Sequence, residues 1–335
     1  MTVRAALVAV LAVFPFAHTD APLRFVSDEA DAALAILQAR AADRTPTAAQ
    51  WASFFSSEGY RALARRDSSF GRPYSAAVYR TFLLSDTLLA RTGALTRTLA
   101  AWKRIDARRP AAMALAYLPA GTALDATVFL EIKPQGNSFV FDLDGKRAIF
   151  LYVNPTVTAG QLANTMAHEL HHIGLSTACA APGDTTAPAS VRRTREWMSA
   201  FGEGLAMLAA AGGPDIHPHA LDDSATRARW DRDVANVGAD VARLQRFFFD
   251  VLDERAPVDS LQEQGMSFFG VQGPWYTVGW RMATTVEQVF GRSRLIAEMC
   301  EPVRLLATYN EAVRVSGRAG KLPLWSDSLL ARVSR

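Results

Sequence analysis

The chain has 335 residues, half of them hydrophobic, enough to bury one large core or two modest ones and too apolar for a disordered chain. Its formal charge of +3 is small and its basic residues are scattered, so neither nucleic acid nor a membrane surface is indicated as a partner. Cys179 and Cys300 are the only cysteines and allow at most one internal disulfide in an oxidising compartment.

Residues 1–21 read as a secretory signal peptide, with Arg4 as the positive region, Ala5 to Phe16 as the apolar run and small residues around Ala17 to Ala21 as cleavage sites. The run is too short for a membrane anchor, and the competing reading is a buried first helix. Export to the periplasm or the medium is therefore expected. Residues 22–118 form an N-terminal helical layer in this reading, and residues 119–335 a catalytic domain closed by C-terminal helices. From Asp28 to about Arg109 the pattern is helical, clearest at Leu95, Leu99, Trp102 and Ile105, with Arg108, Arg109 and Pro110 marking a helix end.

After Pro119 the period becomes two. Val128 to Ile132, Ser138 to Leu143 and Ala148 to Val153 read as strands. A turn at Pro134 to Asn137 and an Asp144-Gly145 hairpin signal predict an antiparallel meander of the three. Such a sheet could hold an extended peptide by strand addition.

Asn154-Pro155 leads into TAGQLANTMAHELHHIG, Thr158 to Gly174. Thr158 and Gln161 form a capping-box signature, and Gly174 fits a helix stop. Leu162, Met166, Leu170 and Ile173 fall within about 80° of one another at helical spacing. His168 and His172, one turn apart on the opposite side, can converge on one metal, with Glu169 beside them to act on a metal-activated water. This is the HExxH pattern of a zinc hydrolase. His171 projects away from the two and reads as a supporting or surface residue.

Leu175 to Ser190 carries no period and reads as a surface loop. Arg195 to Ala211 reads as one helix packed through Trp197, Phe201, Leu205 and Leu208, with Glu196 and Glu203 opposite that stripe. A catalytic zinc site needs a third protein ligand. Periodicity cannot choose between the two carboxylates, seven residues apart. Gly202 and Gly204 around Glu203 would allow a close approach to the first helix and favour Glu203.

AHELHHIG at 167–174 followed by FGEGLAML at 201–208 resembles the gluzincin metallopeptidases, and more closely a bacterial family of uncharacterised, proposed zinc-dependent peptidases. The resemblance is specific from about Leu118 to Ala210 and looser around GPWYTVGW at 273–280. It implies an α+β, mainly helical, zincin-like fold with a small antiparallel sheet beside the HExxH helix. It also implies a Zn2+ ion, one per chain, on His168, His172 and Glu203, with Glu169 as general base. The second helix lacks the Asn-Glu start and following Asp of the thermolysin type, so details of peptide binding do not carry over.

His217 and His219 flank Pro218 in a turn-rich connection and read as a solvated pair. A long helix is expected from Ser224 through Val251, an irregular stretch from Ala256 to Gly273, a helix from Trp275 to Phe290, and closing helices over Leu295 to Val315 and Leu324 to Val333. Tyr276, at a helix start after Gly273-Pro274, is the candidate oxyanion donor by chain order and resemblance. It equally fits an i, i+4 packing pair with Trp280. The leading functional reading is an exported zinc metallopeptidase acting on a peptide or protein. Its rivals are a zinc hydrolase of another amide or ester, and an exported helical binding protein with a structural or vestigial zinc site.

Overall fold

The computed structural model describes residues 23–71, 75–143, 145–179, 186–318 and 320–334. The expected signal at 1–21 lies outside them. Strand β1 (Leu23–Val26) comes first, followed by α1 (Asp28–Ala41), α2 (Ala48–Ser56), α3 (Glu58–Ser69), α4 (Ala76–Leu83), α5 (Asp86–Leu89), α6 (Thr92–Trp102) and α7 (Arg108–Leu115). Thr47, Ser57, Ser75 and Ser85 cap four of these helices by accepting backbone N–H bonds. Arg108 to Pro110 begins a helix rather than ending one. Proline in a first turn costs no hydrogen bond, because the N–H groups there have no partner inside the helix.

Strands β2 (Ala126–Glu131), β3 (Phe139–Leu143) and β4 (Lys146–Tyr152) join β1 in a sheet of order β1-β2-β4-β3. The expected antiparallel meander is corrected to a mixed sheet. Only β3 and β4 are antiparallel, with Leu143 opposite Lys146 across the Asp144-Gly145 loop; Asp144 itself lies outside the described residues. β2 is parallel to both β1 and β4. Burial explains the difference: β2 and β4 are apolar almost throughout and take the covered centre, whereas the half-exposed β3 takes the edge. Residues 134–137 therefore cross the end of β4, about 10 Å for two strand spacings. Lys133 pins that crossing, its Nζ donating to Gln135 O at 2.7 Å and Asn137 O at 2.6 Å.

β4 leads into α8 (Ala159–Ala178), followed by α9 (Ala189–Met198), a 3-10 turn (Ser199–Phe201), α10 (Gly202–Ala211), α11 (Ser224–Ala235) and α12 (Val237–Leu252). Then come α13 (Val258–Ser267), α14 (Pro274–Phe290), α15 (Arg292–Glu298), α16 (Pro302–Val315) and α17 (Asp327–Val333). The chain is mainly helical with one small sheet, an α+β arrangement. The capping box at Thr158 is present, and Leu162, Met166, Leu170 and Ile173 are all buried. Gly174 does not stop α8, which runs a further turn to Ala178. A Cβ there would overlap Leu118 Cδ1, so this glycine serves close packing instead. The expected loop at Leu175 to Ser190 correspondingly shrinks. The single helices expected over Arg195 to Ala211, from Ser224 and from Leu295 each divide into two, and α13 occupies part of the stretch read as irregular. Among the described residues, no helix is long and apolar enough to cross a membrane.

α10 crosses α14 where Gly204 meets Gly279. A Cβ on Gly204 would overlap the backbone of Gly279 and Trp280, and a Cβ on Gly279 would lie 2.6 Å from Phe201 O. Backbone cannot yield as a flexible side chain can. Gly204→Ala is therefore expected to cost about 3 kcal/mol of stability, read as a lower urea midpoint.

Three ionisable groups are buried between α1, α3 and the sheet: Glu29, Glu131 and Lys133. Glu29 Oε2 accepts from Ile132 N at 2.8 Å, while its Oε1 and both oxygens of Glu131 find no hydrogen bond among the described residues. Burial pushes Glu29 from 4.5 up to about 8 against that one stabilising bond. The folded state thus holds a proton that the unfolded chain releases above its ordinary carboxyl pKa. The penalty is absent in acid, grows as pH rises from 4.5 towards 8, and is complete above that. Glu29→Gln should gain a few kcal/mol on wild type between pH 4 and pH 9, measured as the difference between their unfolding free energies at the two ends.

Candidate metal centre

α8 carries His168 and His172 on one face and α10 brings Glu203 in its first turn to meet them. The two Nε2 atoms are 3.0 Å apart, and Glu203 Oε2 lies 3.2 Å from His168 Nε2 and 3.1 Å from His172 Nε2. Among the described residues these three form the one group of three or more His, Cys, Asp or Glu side chains close enough to share an ion. Two imidazole nitrogens and a carboxylate oxygen suit zinc in kind. Their separations approach the edge of about 3.3 Å of a tetrahedron with zinc–ligand bonds near 2.0 Å. The residues present therefore fit a zinc ion.

Glu196 is exposed on α9 and takes no part in this group. Both glutamates line the same large cavity, but only Glu203 stands close enough to the two imidazoles to share an ion. Of the flanking glycines, only Gly202 faces α8, where a Cβ would lie 3.2 Å from Leu175; Gly204 faces α14. The expected close approach to α8 is thus half the story.

The electrostatics are those of a buried ion cluster. Burial works against charge on His172, but the Glu203 carboxylate outweighs it and raises the imidazole to about 9. Glu203, which burial alone would raise, is held well below the usual carboxylate range by His172 and His168. Glu169 is buried and pushed upward by desolvation, opposed by His168 and His172. Tyr276, at the start of α14, places its ring 6.3 Å from that of His168 and nearly parallel to it. Burial raises its phenol, as does the neighbouring Glu203 carboxylate. Tyr276 also packs with Trp280 against Met207, Trp230 and Val234, so the packing role and the place beside the cluster coexist.

His171 is fully buried, neither surface nor cluster. Its Nε2 lies 3.2 Å from Tyr117 O, and burial lowers it to about 3, so it is neutral and ties α8 to the end of α7. His219 is not solvated: it is buried against Trp230, with Nδ1 2.6 Å from Asp222 Oδ2. His217 pairs with Asp231.

Two cavities flank the cluster. The larger, about 970 Å3, touches His172 and Glu203 and is walled by Val140 of β3, Leu175, Met198 and Phe269. The smaller, about 260 Å3, touches His168 and Tyr276 and includes Asn164 and Gln272. Asn164 was within reach of sequence reasoning, since it sits one turn before His168 on the same face. Gln272 gave no signal, because its position follows from a turn without period.

Residues 97–316 match the model of a family described as "Putative zinc dependent peptidase (DUF5700)". The chain belongs to this family. The match spans every residue of the cluster, both cavity walls named above and Tyr276. Comparison with curated proteins and with solved structures returned no match. The zinc dependence in the family's description agrees with the donor set found here, and the segments before residue 97, including β1 and the buried Glu29, lie outside the matched region.

The far wall of the larger cavity includes a disulfide between Cys179, the C-cap of α8, and Cys300, just after α15. It closes a sequence separation of 121 residues, for which loop entropy gives up to about 5 kcal/mol. Replacing both cysteines by serine should lower the unfolding free energy by about 2–5 kcal/mol; an unchanged urea midpoint would contradict the bond.

Proposed function

We propose that the protein is an exported zinc-dependent metallopeptidase. In this reading His168, His172 and Glu203 hold one zinc ion, Glu169 is the general base, and Tyr276 assists. The observation that carries it is the triangle of two imidazole nitrogens and one carboxylate oxygen, with a buried carboxyl at the next residue of α8. Membership of a family described as zinc-dependent peptidases supports the same reading.

When bound, zinc supplies a Lewis acid that polarises a carbonyl and lowers the pKa of water. Glu169 accepts the proton of the attacking water and delivers it to the departing amine, so that one carboxylate serves both halves of the reaction. The Tyr276 hydroxyl, next to His168, donates to the oxygen on which negative charge develops. The edge strand β3, whose Val140 borders the larger cavity, suits an extended peptide added as a further strand. Export is supported by the apolar run near the N-terminus and by the disulfide, which persists in oxidising compartments.

The purified protein is expected to carry close to one zinc, and Glu203→Ala to lose it while Glu196→Ala retains it, measured by metal analysis. Glu169→Gln should keep the metal and lose all cleavage of a peptide library. Tyr276→Phe should keep the metal and lose about 10- to 100-fold in kcat. Unaltered cleavage by Glu169→Gln would remove that residue from the chemistry, and zinc retained without any peptide cleavage in wild type would point to another amide or ester.

A further inference from the structure

The smaller cavity holds hydrogen-bonding capacity that the metal cluster does not use. Among its polar walls, Gln161 is spent: its Oε1 accepts from Thr158 N at 2.9 Å and its Nε2 donates to Asp222 at 2.6 Å. Thr165 donates to Gln161 O at 3.1 Å. Both Asp222 oxygens are engaged, one by Gln161 and the other by His219. Asn164 is different. Half-buried and lining the cavity, its amide has no hydrogen-bond partner among the described residues. In the same cavity, Gln272 Oε1 accepts from Arg229 at 3.3 Å, while its Nε2 has no acceptor among the described residues.

Gln272 also stands in an unusual backbone conformation. Its φ is +60°, two residues after Gly270 at +45°. Residues other than glycine, asparagine and aspartate adopt this region at a cost, and such positions gather at binding and catalytic sites. Gln272 lines the cavity together with Tyr276 and His168.

We propose that Asn164 and Gln272 form a clamp for the peptide backbone of the substrate, on the His168 side of the metal centre. Two carboxamides lining one cavity offer donors and an acceptor, the complement of a peptide group's own C=O and N–H. The occupant is a neutral peptide group rather than a chain terminus. Among the described residues no lysine or arginine lines the cavity, Arg229 beside it being bonded to Gln272, and the one carboxylate in the lining, Asp222, is already bonded through both oxygens. A site of this kind reads backbone and not side chains. It therefore favours cleavage within a chain and tolerates varied residues on that side. The inference rests on the metallopeptidase reading above.

The test separates the metal from the clamp. Acetohydroxamate, a chelator with no peptide, is compared by equilibrium binding to the zinc-loaded protein with two end-blocked tri-alanine hydroxamates, one bearing the chelator at its C-terminal end and one at its N-terminal end. At least one of these is expected to bind about tenfold tighter than acetohydroxamate or better. Asn164→Ala and Gln272→Gly should each remove about fivefold of that gain, the worth of one neutral hydrogen bond. Acetohydroxamate affinity and zinc content should stay unchanged. Both variants suit their backbones: alanine favours the α8 helix, and glycine is at ease at φ +60°. A peptide gain kept in full by both variants, or absent in wild type, overturns the clamp and leaves the peptidase reading standing. If acetohydroxamate itself fails to bind, the metal reading falls and the clamp with it.

Discussion

The candidate site depends on one close approach of backbone to backbone, where α10 meets α14 at Gly204 and Gly279. With no Cβ on either side, the Cα of Gly204 lies 3.2 Å from where a Gly279 Cβ would stand. Any larger residue would push the helices apart. The residue before Gly204 is Glu203, and the residue three before Gly279 is Tyr276. Fixing the crossing therefore fixes how the carboxylate and the phenol stand relative to each other. Because α10 also lies against α8, with Gly202 close to Leu175, the same contact sets where Glu203 stands relative to His168 and His172.

A second set of contacts holds α8 from the other side. Gly174 lets Leu118 and Leu124 close over the helix, and His171 ties it to the Tyr117 carbonyl. Arg292 lies over the Tyr117 ring and donates to its hydroxyl, while Glu287 of α14 accepts from both Arg292 and that hydroxyl. The cluster thus sits between two helices that are each anchored to the same third element. A tight metal site is costly to hold open without such support, since the lone pairs of its ligands face one another in a poorly solvated space.

The surroundings of the cluster are unlike on its two sides. Towards His172 lies a broad cavity whose walls mix Leu175, Met198 and Phe269 with Arg192, Arg195 and Glu196 and include a disulfide; towards His168 lies a small one that includes Gln161, Asn164 and Gln272. The two differ in size and in their polar groups: arginines and glutamates line the larger, carboxamides and Asp222 the smaller. The edge strand β3 borders the larger.

The sequence by itself determined what short-range periodicity can carry. Thr158 and Gln161 placed the start of α8, its apolar stripe named the buried face, and the one-turn spacing of His168 and His172 put two imidazoles side by side. The end of that helix was illegible, because Gly174 breaks a helix in isolation but here fits under Leu118. Strand existence was legible too, yet pairing was not: alternation marks strands without saying which neighbour each will find, and the burial of β4 on both faces drew it between β2 and β3. Which of Glu196 and Glu203 joins the histidines lay beyond periodicity, since seven residues return to the same face of an ideal helix. Only the packing of α10 against α8 and α14 decided it. Long-range packing likewise joined Cys179 to Cys300, buried His219 under Trp230, and brought Gln272 into the same cavity as Asn164. Each of these is a contact between segments distant in the chain, whose geometry exists only once the core has closed.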